Sequence, residues 1–377
     1  MDDEHYMNMA IELARMAAGQ TSPNPIVGAV LVKNGAVVGV GVHLRAGEAH
    51  AEVHALCMAG AAAQGATLYV TLEPCSHHGR TPPCADALIA AGVTRVVAAV
   101  EDPSPWVAGQ GIARLRAAGV AVAVGCLGDE ARRDNAAYLH FADGGLPYVT
   151  LKLAATLDGF IAASGGESRY ITGAAARREV HALRSRVDAV LVGAGTVLQD
   201  DPALTVRFPD SQGKEELAAR QPLRVVLDSL LRLPRTARVV QDQAAPTLVA
   251  CSDRASTERE QALVRQGVEI ARHPERDGRL ELRAVLDGLA ARGCRHVLVE
   301  GGSILASSFL RARLVNEVWL FHAPLLLGAG ISAFRGPETK SLAEAVKLRI
   351  TSVRQVGDDW LTIGTPDDRE EPGCSQD

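Results

Sequence analysis

The sequence predicts an α/β protein of two domains, each a sheet covered by helices. Strand-like apolar runs alternate with helical stretches along most of the chain. The length, 377 residues, suits about two ordinary domains. A break with turn chemistry, Asp143-Gly144-Gly145-Leu146-Pro147, interrupts the alternation. The expected domains are therefore 1–146 and 147–366, followed by a loose, polar tail at 367–377.

Within the first domain, residues 5–18 read as an amphipathic helix. Apolar runs at 26–32 and 37–42 follow, and Asn34-Gly35 between them is the dipeptide a tight hairpin turn favours. A helix over 49–63 comes next. Strand 67–72, helix 85–91, strand 95–100, helix 111–118 and strand 120–124 then alternate. The second series starts at Tyr148. Its strands are read at 149–153, 189–192, 225–227, 248–250, 297–299 and 318–321, and its helices at 174–184, 257–265, 282–291 and 304–311.

Composition narrows the function. The chain is 47% hydrophobic, enough for two cores, and its net charge is −5. A sequence-independent nucleic-acid binder needs a dense basic face, and aromatics, at 4%, are too few for base-stacking platforms. The polar, acidic start lacks the pattern of a secretory signal, and no run of ~18 apolar residues suits a membrane. Seven cysteines without an export signal read as free thiols, so a cytoplasmic protein is expected.

The strongest chemical signal is His50-Ala51-Glu52 followed by Pro74-Cys75 and Cys84. One imidazole and two thiolates make a three-ligand zinc set with a fourth position left for water, the catalytic arrangement. Glu52 is then a proton carrier and not a ligand. Residues two apart point to different sides of a helix, so His50 and Glu52 can serve one metal only off the helix's first turn. Cys84 opens a helix after Pro82-Pro83, where thiolates are favoured. A structural zinc would need a fourth ligand, for which His54, His77 and His78 are candidates. Alone, each of these residues has a bland explanation; the joint pattern does not.

His-x-Glu with Pro-Cys-x-x-Cys is the general signature of zinc deaminases. Here eight residues separate the cysteines, and the run PCSHHGRTPPC resembles the riboflavin-pathway pyrimidine deaminases of the cytidine deaminase superfamily. TSPNPIVGAV (21–30) and AGEAHAEVHAL (46–56) extend the likeness over the first domain. The resemblance implies a cytidine-deaminase-like, three-layer fold. It also implies that the Asn24 amide reads a pyrimidine edge, although Asn between prolines is also a turn-former. Arg80, with His43 assisting, is a candidate for a substrate phosphate; a solvated loop arginine is an equal alternative.

In the second domain two glycine turns, Val192-Gly193-Ala194-Gly195-Thr196 and Val299-Glu300-Gly301-Gly302-Ser303, could let a backbone approach a ligand. Neither has the Rossmann form, and plain tight turns are the default. LKLAATLDGFIA (151–162), GESRYITG (166–173), VGAGTVLQDDPALTVR (192–207) and LVEGG (298–302) resemble the reductase half of the same riboflavin enzymes, which is similar in fold to dihydrofolate reductase. The resemblance implies NADPH against Ala154, Tyr170, Thr196, Asp200, Ser229, Gly301, Gly302, Ser303, Ile304 and Leu305. It implies a phosphoribosyl substrate against Ser168, Arg184, Leu204, Arg207 and Glu300, with the arginines as phosphate forks. Tyr170 stands where the motif usually has tryptophan, which bears on cofactor affinity. Lys152 and Asp158 fall near this site, and the sequence does not decide which donates a proton.

The expectation is thus a bifunctional enzyme using Zn2+ and NADPH. It deaminates 2,5-diamino-6-ribosylamino-4(3H)-pyrimidinone 5′-phosphate and then reduces the ribosyl group to ribityl. Homo-oligomers are a family-based expectation; nucleic-acid and membrane partners are not expected. The rival reading is a nucleoside or tRNA-base deaminase with an unrelated second domain, against which the long inter-cysteine loop and the negative charge weigh.

Overall fold

The structure, a computed structural model, describes residues 2–76, 82–104, 108–168, 171–209, 214–336 and 341–367. The chain divides into two compact units, Met1–Leu146 and Pro147–Asp377.

The first unit opens with α1 (Asp3–Arg15), capped by Asp2, whose carboxylate accepts from the His5 amide. Tyr6, Met7, Ala10, Ile11 and Ala14 form its buried stripe. Strands β1 (Gly28–Lys33) and β2 (Ala36–Val42) pair antiparallel. Asn34 and Gly35 turn between them at φ 51° and 76°, as a type I′ turn requires. Next come α2 (Ala51–Ala59), β3 (Thr67–Val70), α3 (Cys84–Ala90), β4 (Arg95–Ala98), α4 (Gln110–Ala117) and β5 (Ala121–Val124), then α5 (Gly128–Asp134) and α6 (Ala136–Gly144).

The sheet order is β2-β1-β3-β4-β5, with β3, β4 and β5 parallel. Helices cover both faces, and two glycines set how closely. A Cβ on Gly28 would stand 2.0 Å from the Ala10 carbonyl of α1, and one on Gly41 would stand 2.0 Å from the Ala51 carbonyl of α2. Gly41 therefore seats the first turn of α2, the turn that carries Glu52, directly on the sheet.

Helices α5 and α6 are not foreseen from the sequence. α6 buries none of its residues completely, so it has no clear apolar stripe to read. α5 is tied to α1 by charge, with Arg15 at 2.8 Å from Glu130 and 2.7 Å from Asp134.

The second unit begins with β6 (Tyr148–Thr156), β7 (Phe160–Ala163), α7 (Ala174–Arg184), β8 (Ala189–Gly193) and α8 (Ala194–Asp200). A short ribbon, β9 (Arg207–Pro209) with β10 (Glu215–Leu217), precedes β11 (Leu223–Leu227), α9 (Arg238–Gln241), β12 (Thr247–Cys251), α10 (Thr257–Val264) and β13 (Glu269–Arg272). A second ribbon, β14 (Glu275–Arg276) with β15 (Arg279–Leu280), leads into α11 (Leu282–Ala291). The chain continues with β16 (His296–Glu300), α12 (Ser303–Arg311), β17 (Glu317–Ala323), β18 (Gly330–Ser332), β19 (Leu348–Val356) and β20 (Asp359–Pro366).

Nine of these strands form one sheet, ordered β13-β12-β11-β8-β16-β6-β17-β20-β19. The first seven run parallel, and β20 and β19 close the sheet antiparallel. The central strands are near-continuous apolar runs, as strands covered on both faces should be. The hairpin of β19 and β20 is not foreseen. β19 is an edge strand, mostly exposed, whose apolar residues are interspersed with arginine, threonine and serine. Among the described residues no helix is long and apolar enough to cross a membrane, and the six described cysteines are free. Of the expected tail at 367–377, all but Asp367 lies outside the described residues.

Candidate active sites

In the first unit, His50 is the N-cap of α2, with extended backbone (φ −73°, ψ 161°), so its ring leaves the helix axis. Cys84 is the first residue of α3, and Cys75 lies on the loop after β3. Their ligand atoms all lie within 4.8 Å of one another. His50 Nδ1 stands 3.2 Å from Cys84 Sγ and 3.6 Å from Cys75 Sγ, and the Cys84 amide donates to Cys75 Sγ at 3.3 Å. His54 is not in this cluster. His77, His78 and Arg80 lie outside the described residues.

The donor set fits a divalent cation. Cys84 donates to Cys75 and, against burial and with help from His50, holds that thiol down to about 4. Cys84 moves the opposite way, because its bond to Cys75 and its burial oppose a second negative charge. The protein alone thus favours one thiolate; a cation at the shared point would favour both. Glu52, on the first turn of α2, is 3% exposed, and burial raises its carboxyl to about 7 although the His50 charge opposes this.

Asn24 and His43 come to the same place. His43 Nδ1 lies 3.1 Å from the Ala49 carbonyl, which makes Nδ1 the donor, so Nε2 accepts from Asn24 Nδ2 at 3.0 Å. The His43 and His50 rings meet edge to face, 5.4 Å between centroids. His43 is buried, with both ring nitrogens engaged by the protein, so it orients Asn24. Its burial lowers its pKa and keeps the ring neutral.

In the second unit a cavity of about 1540 Å³ opens at the carboxyl edge of the parallel strands. This is where ligands of open α/β sheets sit. It exceeds the ~300–1,000 Å³ usual for one small ligand. Ala154, Thr196, Asp200, Ser229 and the turn from Gly301 through Leu305 line it, as do Ser168, Arg184, Leu204 and Glu300. Tyr170 lies outside the described residues. Arg207 is not among the lining residues and pairs with Glu215 across the β9–β10 ribbon at 3.2 Å.

The glycine turns answer a question the sequence leaves open. Gly193, Gly195 and Gly302 have no left-handed backbone, and a Cβ on any of them would meet nothing within 4 Å. Turn geometry and packing therefore do not require glycine at these positions. All three line the cavity, and the space a side chain would take is open to it. At Gly302 this space faces the start of α12, whose free N–H groups suit a phosphate.

At the centre, Arg184 Nε and Nη2 bind both oxygens of Glu300, the second at 2.9 Å, and Nη1 donates to the Thr205 carbonyl at 3.1 Å. The fork expected for a phosphate is thus largely engaged, with two of its five N–H groups left over. Burial raises the Glu300 pKa, but Arg184 outweighs it and the carboxyl stays ionised. Lys152, beside this pair on β6, is pushed down by burial, and its ammonium lies 5.8 Å above the Phe321 ring. Asp158 accepts from Thr156 and from the Leu327 and Gly328 amides and does not line the cavity. Ser168 donates to Asp200 at 3.0 Å. His181, which the sequence does not single out, accepts the Arg207 amide at Nδ1, and burial with Arg184 holds it down to about 4. A lone histidine on a helix carries no motif by which it could be found.

Comparison with known proteins agrees with this division. Residues 1–100 match the model of the cytidine and deoxycytidylate deaminase zinc-binding region, and residues 147–362 match that of the RibD C-terminal domain. The chain is 46% identical to the riboflavin biosynthesis protein RibD of Bacillus amyloliquefaciens, covering 97% of each chain. It is also 46% identical to that of Escherichia coli strain K12, over 95% of this chain and 98% of the other. Among solved structures, RibD of Acinetobacter baumannii superposes with a TM-score of 0.86 at 40% identity, covering 97% of this chain and 99% of that one. A diaminohydroxyphosphoribosylaminopyrimidine deaminase/5-amino-6-(5-phosphoribosylamino)uracil reductase from Thermotoga maritima does so at 0.83 and 36%, with the same coverage.

Proposed function

The chain belongs to the RibD family of riboflavin biosynthesis proteins, and from that premise we propose how its two units divide the work. It is a bifunctional enzyme, a deaminase followed by a reductase. The first unit hydrolyses the 2-amino group of 2,5-diamino-6-ribosylamino-4(3H)-pyrimidinone 5′-phosphate to a carbonyl, releasing ammonia. The second reduces the ribosyl group of the resulting aminouracil to ribityl.

His50, Cys75 and Cys84 hold zinc. When bound, zinc supplies a Lewis acid that brings the pKa of water to roughly 7. Glu52 takes a proton from the attacking water on a carboxylate oxygen and hands it to the leaving nitrogen, so that ammonia departs. Its place on the first turn of α2, beside the ligand set, suits both transfers. Asn24, oriented by His43, reads the pyrimidine edge, and Arg80 meets the phosphate. The observation that carries this reading is the cluster of three donor atoms within 4.8 Å beside a buried carboxyl.

In the second unit the glycine turns, with Ala154, Tyr170, Thr196, Asp200 and Ser229, hold NADPH, which supplies the hydride when bound. Glu300, fixed by Arg184, orients the ribosyl hydroxyls alongside Ser168 and Leu204. Arg207, which pairs with Glu215 outside the cavity lining, would anchor the phosphate by exchanging that partner for it, with His181 positioning its backbone. Lys152 is the proton source at the ribosyl oxygen. It lines the cavity with its pKa lowered by burial, whereas Asp158 is committed to the chain's own amides.

The test is incubation of the full chain with the diaminopyrimidine phosphate, with and without NADPH, with products read by mass spectrometry. Ammonia release without NADPH and a reduced product only with it are expected. Turnover of free nucleosides or tRNA in preference to this substrate would overturn the reading.

A further inference from the structure

Helices α5 and α6 close the first unit and carry none of the residues assigned to its chemistry. Asn135 is the joint between them, at once the C-cap of α5 and the N-cap of α6. An asparagine at an N-cap ordinarily spends its side chain on the first turn of its own helix. Asn135 makes no such bond. It is buried, and both polar atoms of its side chain go to one residue 109 positions away. Oδ1 accepts from the Ile26 amide at 2.9 Å, and Nδ2 donates to the Ile26 carbonyl at 3.0 Å. The two ends of the carboxamide have opposite roles, so only one orientation satisfies both bonds.

What Asn135 holds is the stem of Asn24. Pro23 and Pro25 flank Asn24 and offer no backbone N–H. The one amide between them, that of Asn24, is spent on the Thr21 carbonyl at 2.8 Å, and the Thr21 hydroxyl donates to the Asn24 carbonyl at 3.0 Å. On the other side the sheet takes over at Val27, whose carbonyl accepts from the His43 amide at 3.0 Å. Ile26 lies between the turn and the sheet. Asn135 engages both its backbone groups as a residue of a neighbouring strand would. The Ile26 side chain joins the buried cluster of Ala14 and Ala17. His43 sets the side chain of Asn24, and Asn135 sets the backbone that carries it. The joint is itself tied down. Arg15 of α1 pairs with Asp134 at 2.7 Å, and Tyr138 of α6 donates to Asp102 at 3.0 Å.

We propose that Asn135 is a positioning residue of the deaminase, which fixes the turn beneath Asn24 so that its amide meets the pyrimidine edge in one orientation. The α5–α6 pair is the mount that brings it there. The proposal rests on the reading of Asn24 as the residue that recognises the pyrimidine. Without the Asn135 carboxamide, the Ile26 N–H and C=O are buried and unpaired, and the turn must shift to satisfy them.

The test is a double-mutant cycle on the full chain, with Asn135→Leu, Asn24→Ala and their combination. KM and kcat are measured for ammonia release from the diaminopyrimidine phosphate, and zinc content by elemental analysis. Asn135→Leu should raise KM by about tenfold and change kcat by less than about threefold, with zinc content at the wild-type level. A merely structural role acts the other way, because fewer folded molecules lower kcat and leave KM unchanged. With Asn24→Ala already in place, Asn135→Leu should raise KM by less than about twofold more. Arg15→Met, which loosens α5 from α1 without touching Ile26, should leave KM within about twofold of wild type. A lower kcat at unchanged KM, loss of zinc, effects that multiply independently, or an equal rise in KM from Arg15→Met would overturn the role of Asn135. A wild-type KM for Asn24→Ala would overturn the reading of Asn24 itself.

Discussion

The two candidate sites are built on different principles. In the first unit three ligand atoms and one carboxyl converge within a few ångströms, and each is a side chain whose chemical type is indispensable. In the second, among the described residues, no such cluster exists. A cavity of about 1540 Å³ is shaped by backbone turns and helix starts, with one partly buried ion pair and one lysine in its lining. Hydrolysis at a metal concentrates its demands in the identity of a few donors. Hydride transfer from a large cofactor spreads its demands over space and orientation. The glycines show the same contrast. Gly41 is needed because a helix carbonyl occupies the place of its Cβ, whereas at Gly302 nothing of the protein occupies that place.

Substitutions can break this comparison or sharpen it. The largest effect is expected for Glu52→Ala. Ammonia release should fall by about 10³- to 10⁴-fold, while reduction of supplied deaminated substrate, followed by NADPH absorbance, should stay near wild type. Loss of both activities in a folded variant would show that the sites are not separable. Lys152→Met is the mirror experiment, with reduction expected to drop by about 10²-fold and deamination to be unaffected. A Lys152→Met enzyme that reduces normally would return the proton source to Asp158 or to water.

Smaller effects test the glycines. Gly302→Ala should leave the melting temperature unchanged and weaken NADPH by about tenfold, as read by fluorescence titration. Unchanged affinity would mean that the open space is not the cofactor's. Gly41→Ala should do the reverse and act through the fold. A Cβ there meets the Ala51 carbonyl at 2.0 Å and the Ala55 amide at 2.7 Å, so the first unit should lose about 1–3 kcal/mol of stability. Deamination should decline as α2 shifts, with reduction per folded molecule preserved. Denaturant unfolding of the first unit measures this directly.

Much of the layout is legible in the chain. Asn34-Gly35 marks a hairpin by its backbone preference alone, and the apolar runs at 189–192 and 297–299 mark central strands because strands buried on both faces tolerate little else. Residues with a local signature are likewise nameable, as His50, Glu52, Cys75 and Cys84 are. What stays hidden has no local signature. α6 buries no residue completely, and the β19–β20 hairpin mixes its apolar residues with polar ones. The bond of His181 to Arg207 and the engagement of the Arg184 fork by Glu300 depend on partners across a fold.

The linear order of residues determined which chemistries are available: a soft and imidazole donor set with an acid at the right offset, and glycines at two strand ends. Those are matters of residue type and short spacing, which the chain carries locally. Only the folded arrangement decided the protonation balance between Cys75 and Cys84, the neutral state of His43 and the absence of any fold-based reason for Gly302. These follow from burial and from neighbours distant in sequence. Electrostatic and steric energies depend on distance through space, and spacing along the chain does not set that distance.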